Sequence, residues 1–147
     1  MSADPDPAFL RVDTVRSSLG VDVCTLYRAR PRERELELWI TSGLNQNAVG
    51  TRLPFGQGLT GKVASGHSPL AARDIQSHRD HYHVEGSGEE RFKSYLGIPL
   101  VTQNELFGVL VIQTEYTKTF FQRDIRELYE AARDLMDDLL PSLSESS

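Results

Sequence analysis

His78, His81 and His83 fall within six residues, with His67 a little upstream. Three imidazoles this close form a set that zinc or nickel accepts. No cysteine joins them, and the surrounding stretch is polar and aperiodic. Their neighbours Tyr82 and Phe92 fit a lid over a pocket, so no metal and no cofactor is expected. The string Gly56-Gln57-Gly58-Leu59-Thr60-Gly61-Lys62 spells both GxGxxG and GxxxxGK. A phosphate loop needs Ser or Thr after its lysine to hold magnesium, and Val63 stands there. A dinucleotide fingerprint needs a βαβ unit with a full crossover helix. Here a strand led by Pro69 follows Gly66 almost at once. The glycines read instead as a strand turning sharply into a short helix, whose N-terminus can attract an anionic group. Cys24 reads as a buried thiol; to act as a nucleophile it would need a nearby base. No Ser-His-Asp spacing and no carboxylate pair placed for acid–base work is present, so no catalytic residue is expected.

These residues sit in a chain of 147 residues, the size of one domain, with a core from about 8 to 140 and frayed tails at 1–6 and 142–147. That length can bury a core without staples and is too short for a (β/α)8 barrel. The net charge is -5. Residues 121–147 hold three Arg against seven Asp and Glu, so most of that charge lies in the last segment. There is no basic patch for nucleic acid. A lone cysteine excludes an internal disulfide framework. No apolar run reaches membrane-spanning length, and the acidic, Pro-rich start is no signal peptide. A cytoplasmic domain with no nucleic-acid or membrane partner is expected.

Asp6 and Pro7 read as the cap and first residue of a short helix that Gly20 stops. Strands are expected at Val21–Arg28 and Glu35–Thr41. In the second, Leu36, Leu38 and Ile40 face one way and Trp39 the other. A short strand at Thr51–Phe55, a short helix at Gly58–Ser65 and a strand at Pro69–Asp74 follow. Ile75 to Lys93 is a long polar loop of the kind that is usually functional. A hairpin turning at Gln103-Asn104 joins Tyr95–Val101 to Glu105–Glu115. Leu106 to Ile112 is apolar on both faces and must be central in the sheet. Thr119 and Gln122 fit a capping box for a last helix from Phe120 to Leu140, ended by Pro141. Phe121, Ile125, Leu128, Ala132, Leu135 and Leu139 form a heptad seam on it, widened by Tyr129, Met136 and Leu140. This is an α+β domain: a central antiparallel sheet of about six strands, with the terminal helices on one face and the short helix plus the long loop on the other.

Phe55-Gly56-Gln57-Gly58-Leu59-Thr60-Gly61-Lys62-Val63-Ala64-Ser65-Gly66, followed by Pro69 and Asp74, resembles the mid-domain signature of GAF domains. Tyr95-Leu96-Gly97-Ile98-Pro99-Leu100, Leu106-Phe107-Gly108-Val109-Leu110 and the Phe121-x-x-Asp124 helix start are similar too, and together they cover residues 8–140. Glu89-Glu90-Arg91-Phe92-Lys93-Ser94-Tyr95-Leu96-Gly97-Ile98-Pro99 and the His-containing loop before it resemble the N-terminal GAF domain of nitrogen-type phosphotransferase-system enzyme I. The resemblance implies a bacterial signal-transduction domain that senses a small molecule, glutamine or 2-oxoglutarate, and regulates a phosphoenolpyruvate-dependent phosphotransferase. The chain stops after the last helix of such a domain, so the regulatory fragment alone is expected. The short first helix leaves a stand-alone GAF protein open. A single cysteine argues against the free methionine sulfoxide reductases of this family, and Cys24 is misplaced for attaching a bilin. Asn104-Glu105 and Phe121…Asp124 match the cyclic-nucleotide pattern poorly.

The expected ligand site lies between the sheet and the Ile75–Lys93 loop. Its lining is expected to be Phe55, Leu59, Thr60, Asp74, His81, Tyr82, Arg91, Phe92 and Tyr95, mostly apolar with few polar anchors. Arg91 is the candidate for an anionic group, since its fork matches a carboxylate. Loop ordering would pass through the sheet to the last helix, through which a homodimer is expected. The alternative is a ligand-free structural or dimerisation module.

Overall fold

The structure is a computed structural model that describes residues 6–78 and 91–145. Asp6 opens helix α1 (Pro7–Leu19): its carboxylate accepts the Ala8 N–H at 2.9 Å. Gly20, at φ 66, closes the helix by donating its N–H to the last carbonyls. Strands β1 (Val23–Arg30), β2 (Glu35–Ser42) and β3 (Arg52–Pro54) follow, then α2 (Gly58–Gly66) and β4 (Leu70–Ala72). The long hairpin β5 (Ser94–Thr102) and β6 (Glu105–Thr114) leads to α3 (Gln122–Glu145). The order across the sheet is β3-β2-β1-β6-β5-β4, antiparallel at every pairing. Strand β6 lies between β1 and β5, as its two-sided apolar pattern requires. Gly108 lets it in: a Cβ there would collide with the Tyr27 carbonyl oxygen of β1. Gln103 and Asn104 turn the hairpin, both at positive φ, the geometry that matches strand twist.

Two cores share this sheet. On one face α1 and α3 bury Val12, Val15, Leu128 and Leu135 against Leu26, Leu96, Ile98, Leu110 and Ile112. On the other, α2 and the chain around Phe92 bury Leu59, Val63 and Phe92 against Tyr27, Leu38, Tyr95, Val109 and Val111. Each fully buried Leu or Phe is worth roughly 1.5–3 kcal/mol of transfer free energy. Thr25 and Thr41 face each other across β1 and β2 and share a buried hydroxyl bond of 2.9 Å.

Three local expectations are corrected. The alternation of β2 does not run through to Ile40. The register slips between Leu26 and Tyr27, leaving Trp39 without a partner, and this bulge turns Ile40 to the α1/α3 face while Leu36 and Leu38 stay on the other. The cap of α3 is not Thr119 with Gln122. Asp124 reaches back to the Phe121 N–H at 2.7 Å, the carboxylate half of a capping box two residues later. Nor does Pro141 end α3, which continues to Glu145. A proline's fixed φ is helical, and its missing N–H removes a hydrogen bond without forbidding the turn.

Candidate functional site

The second face begins with how α2 is laid on the sheet. After β3 the backbone takes positive φ at Gly56 and Gly58. Gly56 donates its N–H to the Gly61 carbonyl at 2.8 Å. A Cβ on Gly61 would stand 2.7 Å from the Pro54 carbonyl oxygen. The nucleotide-like string is therefore a strand-to-helix turn requiring bare backbone, and β3 is an antiparallel edge strand without a βαβ crossover. This turn delivers Leu59 and Thr60 to the sheet.

Thr60 meets Tyr95 there. Their hydroxyl oxygens are 2.8 Å apart, both side chains are buried, and the bond ties α2 to β5. The Tyr95 ring reaches this position by lying along its own strand: a Cβ on Gly97 would collide with the Tyr95 hydroxyl. Sequence reasoning missed Gly97 as a site residue. The available signal was a glycine two residues after an aromatic, on the same face of one strand.

The stretch from Ile75 to Lys93 is closed at its base, where the Ile75 N–H donates to the Lys93 carbonyl at 2.6 Å. Lys93 in turn donates to the Thr114 carbonyl of β6 at 2.7 Å. Ser94 locks the same corner. Its hydroxyl lies 2.9 Å from the carbonyls of Arg73 and Tyr116 and accepts the Lys118 N–H at 2.6 Å. Phe92 is fully buried just beside this clasp.

Of the expected lining, Leu59, Thr60, Phe92 and Tyr95 come together in one layer. Phe55 is half-buried at its margin, with the Arg34 guanidinium 5.9 Å from the ring centre. Asp74 and Arg91 are exposed. The Asp74 carboxylate caps the short turn Ile75–Ser77, accepting from the Gln76 N–H and the Ser77 hydroxyl. Arg91 donates to the Gly43 carbonyl at 3.2 Å, approaches Glu115 at 3.6 Å and stacks 4.9 Å over Phe92. Its guanidinium thus bridges three parts of the chain. His81 and Tyr82 lie outside the described residues, as does His83. Among the described residues no group of three or more His, Cys, Asp or Glu is placed to hold a metal.

Cys24 lies in the opposite core, fully buried, and burial pushes its thiol far above the ordinary range. A thiol that cannot ionise is not a nucleophile at neutral pH. Among the described residues no helix is long and apolar enough to cross a membrane.

The GAF domain family model matches residues 9–136. Over 90 residues the chain is 30% identical to the phosphoenolpyruvate-dependent phosphotransferase system protein of Escherichia coli K12, which covers 60% of this chain. The chain spans only 12% of the length of that relative and of its Salmonella typhimurium counterpart. The GAF domain of a phosphoenolpyruvate-protein phosphotransferase from Coxiella burnetii superposes with a TM-score of 0.85 at 31% identity, covering 98% of this chain and 88% of that one. The corresponding Acinetobacter domain gives 0.80 at 23%, covering 95% and 83%. Free methionine-R-sulfoxide reductase from Neisseria meningitidis, solved with its substrate, shares the fold at 0.79 and 23%, covering 94% and 78%. A six-stranded antiparallel sheet with α2 turned onto one face by its glycines, and a family match over most of the chain, make this chain a member of the GAF domain family.

Proposed function

We propose that this domain senses a small molecule and regulates a phosphotransferase-type output module. The likeness to the Coxiella burnetii phosphotransferase GAF domain, at 31% identity across nearly the whole chain, carries the reading. The geometry supports it. The face bearing Thr60, Phe92 and Tyr95 is largely apolar and carries the Thr60–Tyr95 hydroxyl pair, and it adjoins the base of the Ile75–Lys93 stretch. Glutamine and 2-oxoglutarate are the first ligands to try, and phosphoenolpyruvate-dependent transfer would belong to the whole parent protein. The ligand would act by favouring one arrangement of this face over another, since equal affinity for both shifts nothing.

Thermal unfolding against a metabolite panel tests this: glutamine, 2-oxoglutarate, other amino acids and cyclic nucleotides, with zinc and a chelator as controls. A ligand at 100 times its dissociation constant adds about 2.7 kcal/mol. For a domain of this size each kcal/mol is worth roughly 2–4 °C. A shift of several degrees with one metabolite, reduced in Tyr95→Phe, supports the sensor. A flat panel favours the ligand-free module instead.

A further inference from the structure

Among the described residues no charged side chain is buried, and all but one of the buried polar side chains are hydroxyls. The hydroxyls are paired. Thr25 meets Thr41, Thr60 meets Tyr95, Ser42 donates to Asp13, and Ser94 and Thr114 both donate to the Tyr116 carbonyl. The exception is Gln113, only 3% exposed, whose amide makes no hydrogen bond among the described residues. Its backbone carbonyl accepts the Asp22 N–H at 3.0 Å, so the strand is pinned there and the side chain alone is spare. The amide is not sealed in either. The one fully enclosed side-chain polar atom without a partner among the described residues is the Arg30 Nε. The Gln113 amide therefore opens onto free space.

That space belongs to the second face. Gln113 lies on β6, between β1 and β5, and its register partners are Val23 and Tyr95. Both partners enter the core under α2, so the Gln113 side chain enters that layer too. Cross-strand partners on one face stand about 5 Å apart at Cβ, which sets the amide beside the Tyr95 ring. A primary amide carries two N–H donors and an acceptor oxygen, and leaving them unpaired in a core costs stability that an apolar side chain of the same length would not.

The surroundings select by charge. A carboxylate brought to this floor would lose its water with no buried cation to meet it. Arg91, the cation expected for an anionic group, is exposed and engaged with Gly43 and Glu115. A carboxamide meets no such penalty. Its N–H donates to the Gln113 amide oxygen while its own oxygen accepts a Gln113 N–H, two reciprocal bonds in one plane. We infer that Gln113 is a specificity-determining residue of the second face and selects ligands bearing a neutral carboxamide over their carboxylate counterparts. This rests on the sensing reading and adds to it the chemistry that the floor of the site accepts.

Calorimetric titration with matched amide and acid pairs tests it: glutamine with glutamate, asparagine with aspartate, nicotinamide with nicotinate. Within a pair that binds, the amide is expected to bind about tenfold or more tightly than the acid. Gln113→Met, of similar length, should abolish that preference. Without any ligand the same variant should melt at the wild-type temperature or above it, because its amide holds no partner in the fold. A wild type that binds acids as well as amides overturns the inference and leaves the sensing reading standing. So does a Gln113→Met chain that keeps the preference, or one that melts several degrees lower, since the amide would then be holding the fold. A chain that binds no member of any pair counts against the sensing reading itself, and the inference falls with it.

Discussion

The two faces of one sheet are built to different specifications. Strand β5 serves both: Leu96, Ile98 and Leu100 enter the core under α1 and α3, while Tyr95 enters the opposite layer. The first face is closed by aliphatic side chains from two helices and needs no polar atom at its centre. The second is closed by a nine-residue helix that fits only because Gly61 is bare, and by a tyrosine that fits only because Gly97 is bare. At its centre it keeps a hydroxyl pair between residues 35 positions apart. Aliphatic packing tolerates many solutions of equal volume. A hydroxyl pair between two glycine-dependent elements tolerates few. The first face supplies stability, and the second fixes the positions of particular atoms.

That contrast can be broken from the stable side first. Leu128→Ala, at a fully buried position under the sheet, should cost about 2–5 kcal/mol in denaturant unfolding. Any metabolite-induced shift of the wild type should persist in the folded fraction. Gly61→Ala should cost less, about 1–3 kcal/mol, because the new methyl pushes α2 off the Pro54 carbonyl. Its signature is local: hydrogen exchange should quicken in α2 and stay protected in β1 and β6. A uniform loss of protection would mean that the two faces unfold as one unit and the contrast is false.

Tyr95→Phe sharpens the comparison. Deleting one hydroxyl leaves Thr60 without this partner and should lower stability by about 1 kcal/mol. A double-mutant cycle with Thr60→Val then reads the coupling of the pair directly. A coupling near zero would remove the hydroxyl pair as the organiser of the second face.

The smallest effect lies at the margin of the first face. The Asp13 carboxylate accepts the Ser42 hydroxyl at 2.6 Å and the Arg16 guanidinium at 2.9 Å. These bonds, Ser42 first, hold it below its ordinary value of 3.8. The charged form is favoured by folding, so its contribution is complete above that ordinary value and vanishes as pH falls through the lower folded value. Ser42→Ala should therefore lower stability at neutral pH, flatten the acid limb below about pH 4 and leave the acid end nearly unchanged, read by urea midpoints across pH 2–7. An acid limb steeper in the variant than in the wild type would contradict the assignment.

Much of this was legible in the residue order. Asp6-Pro7 and Gly20 bound α1, Gln103-Asn104 turned the hairpin, and the two-sided apolar run of β6 placed it mid-sheet. Glycine spacing marked the turn into α2. Each of these is a statement about neighbouring torsions or about a period of two or four residues, and such information is local. Only the tertiary structure decided the rest. The slip opposite Tyr27 that separates Leu38 from Ile40 depends on how β1 and β2 twist together. The meeting of Thr60 with Tyr95, the engagement of Arg91 with Gly43 and Glu115, and the use of Asp74 as a turn cap depend on which distant surfaces pack. The seam on α3 reads in sequence as one broad stripe that covers the sheet with apolar surface to spare. Packing split it into a buried stripe against the sheet and an exposed ridge beside it, because a sheet covers only one side of a helix and leaves the adjoining ridge to solvent or to another molecule.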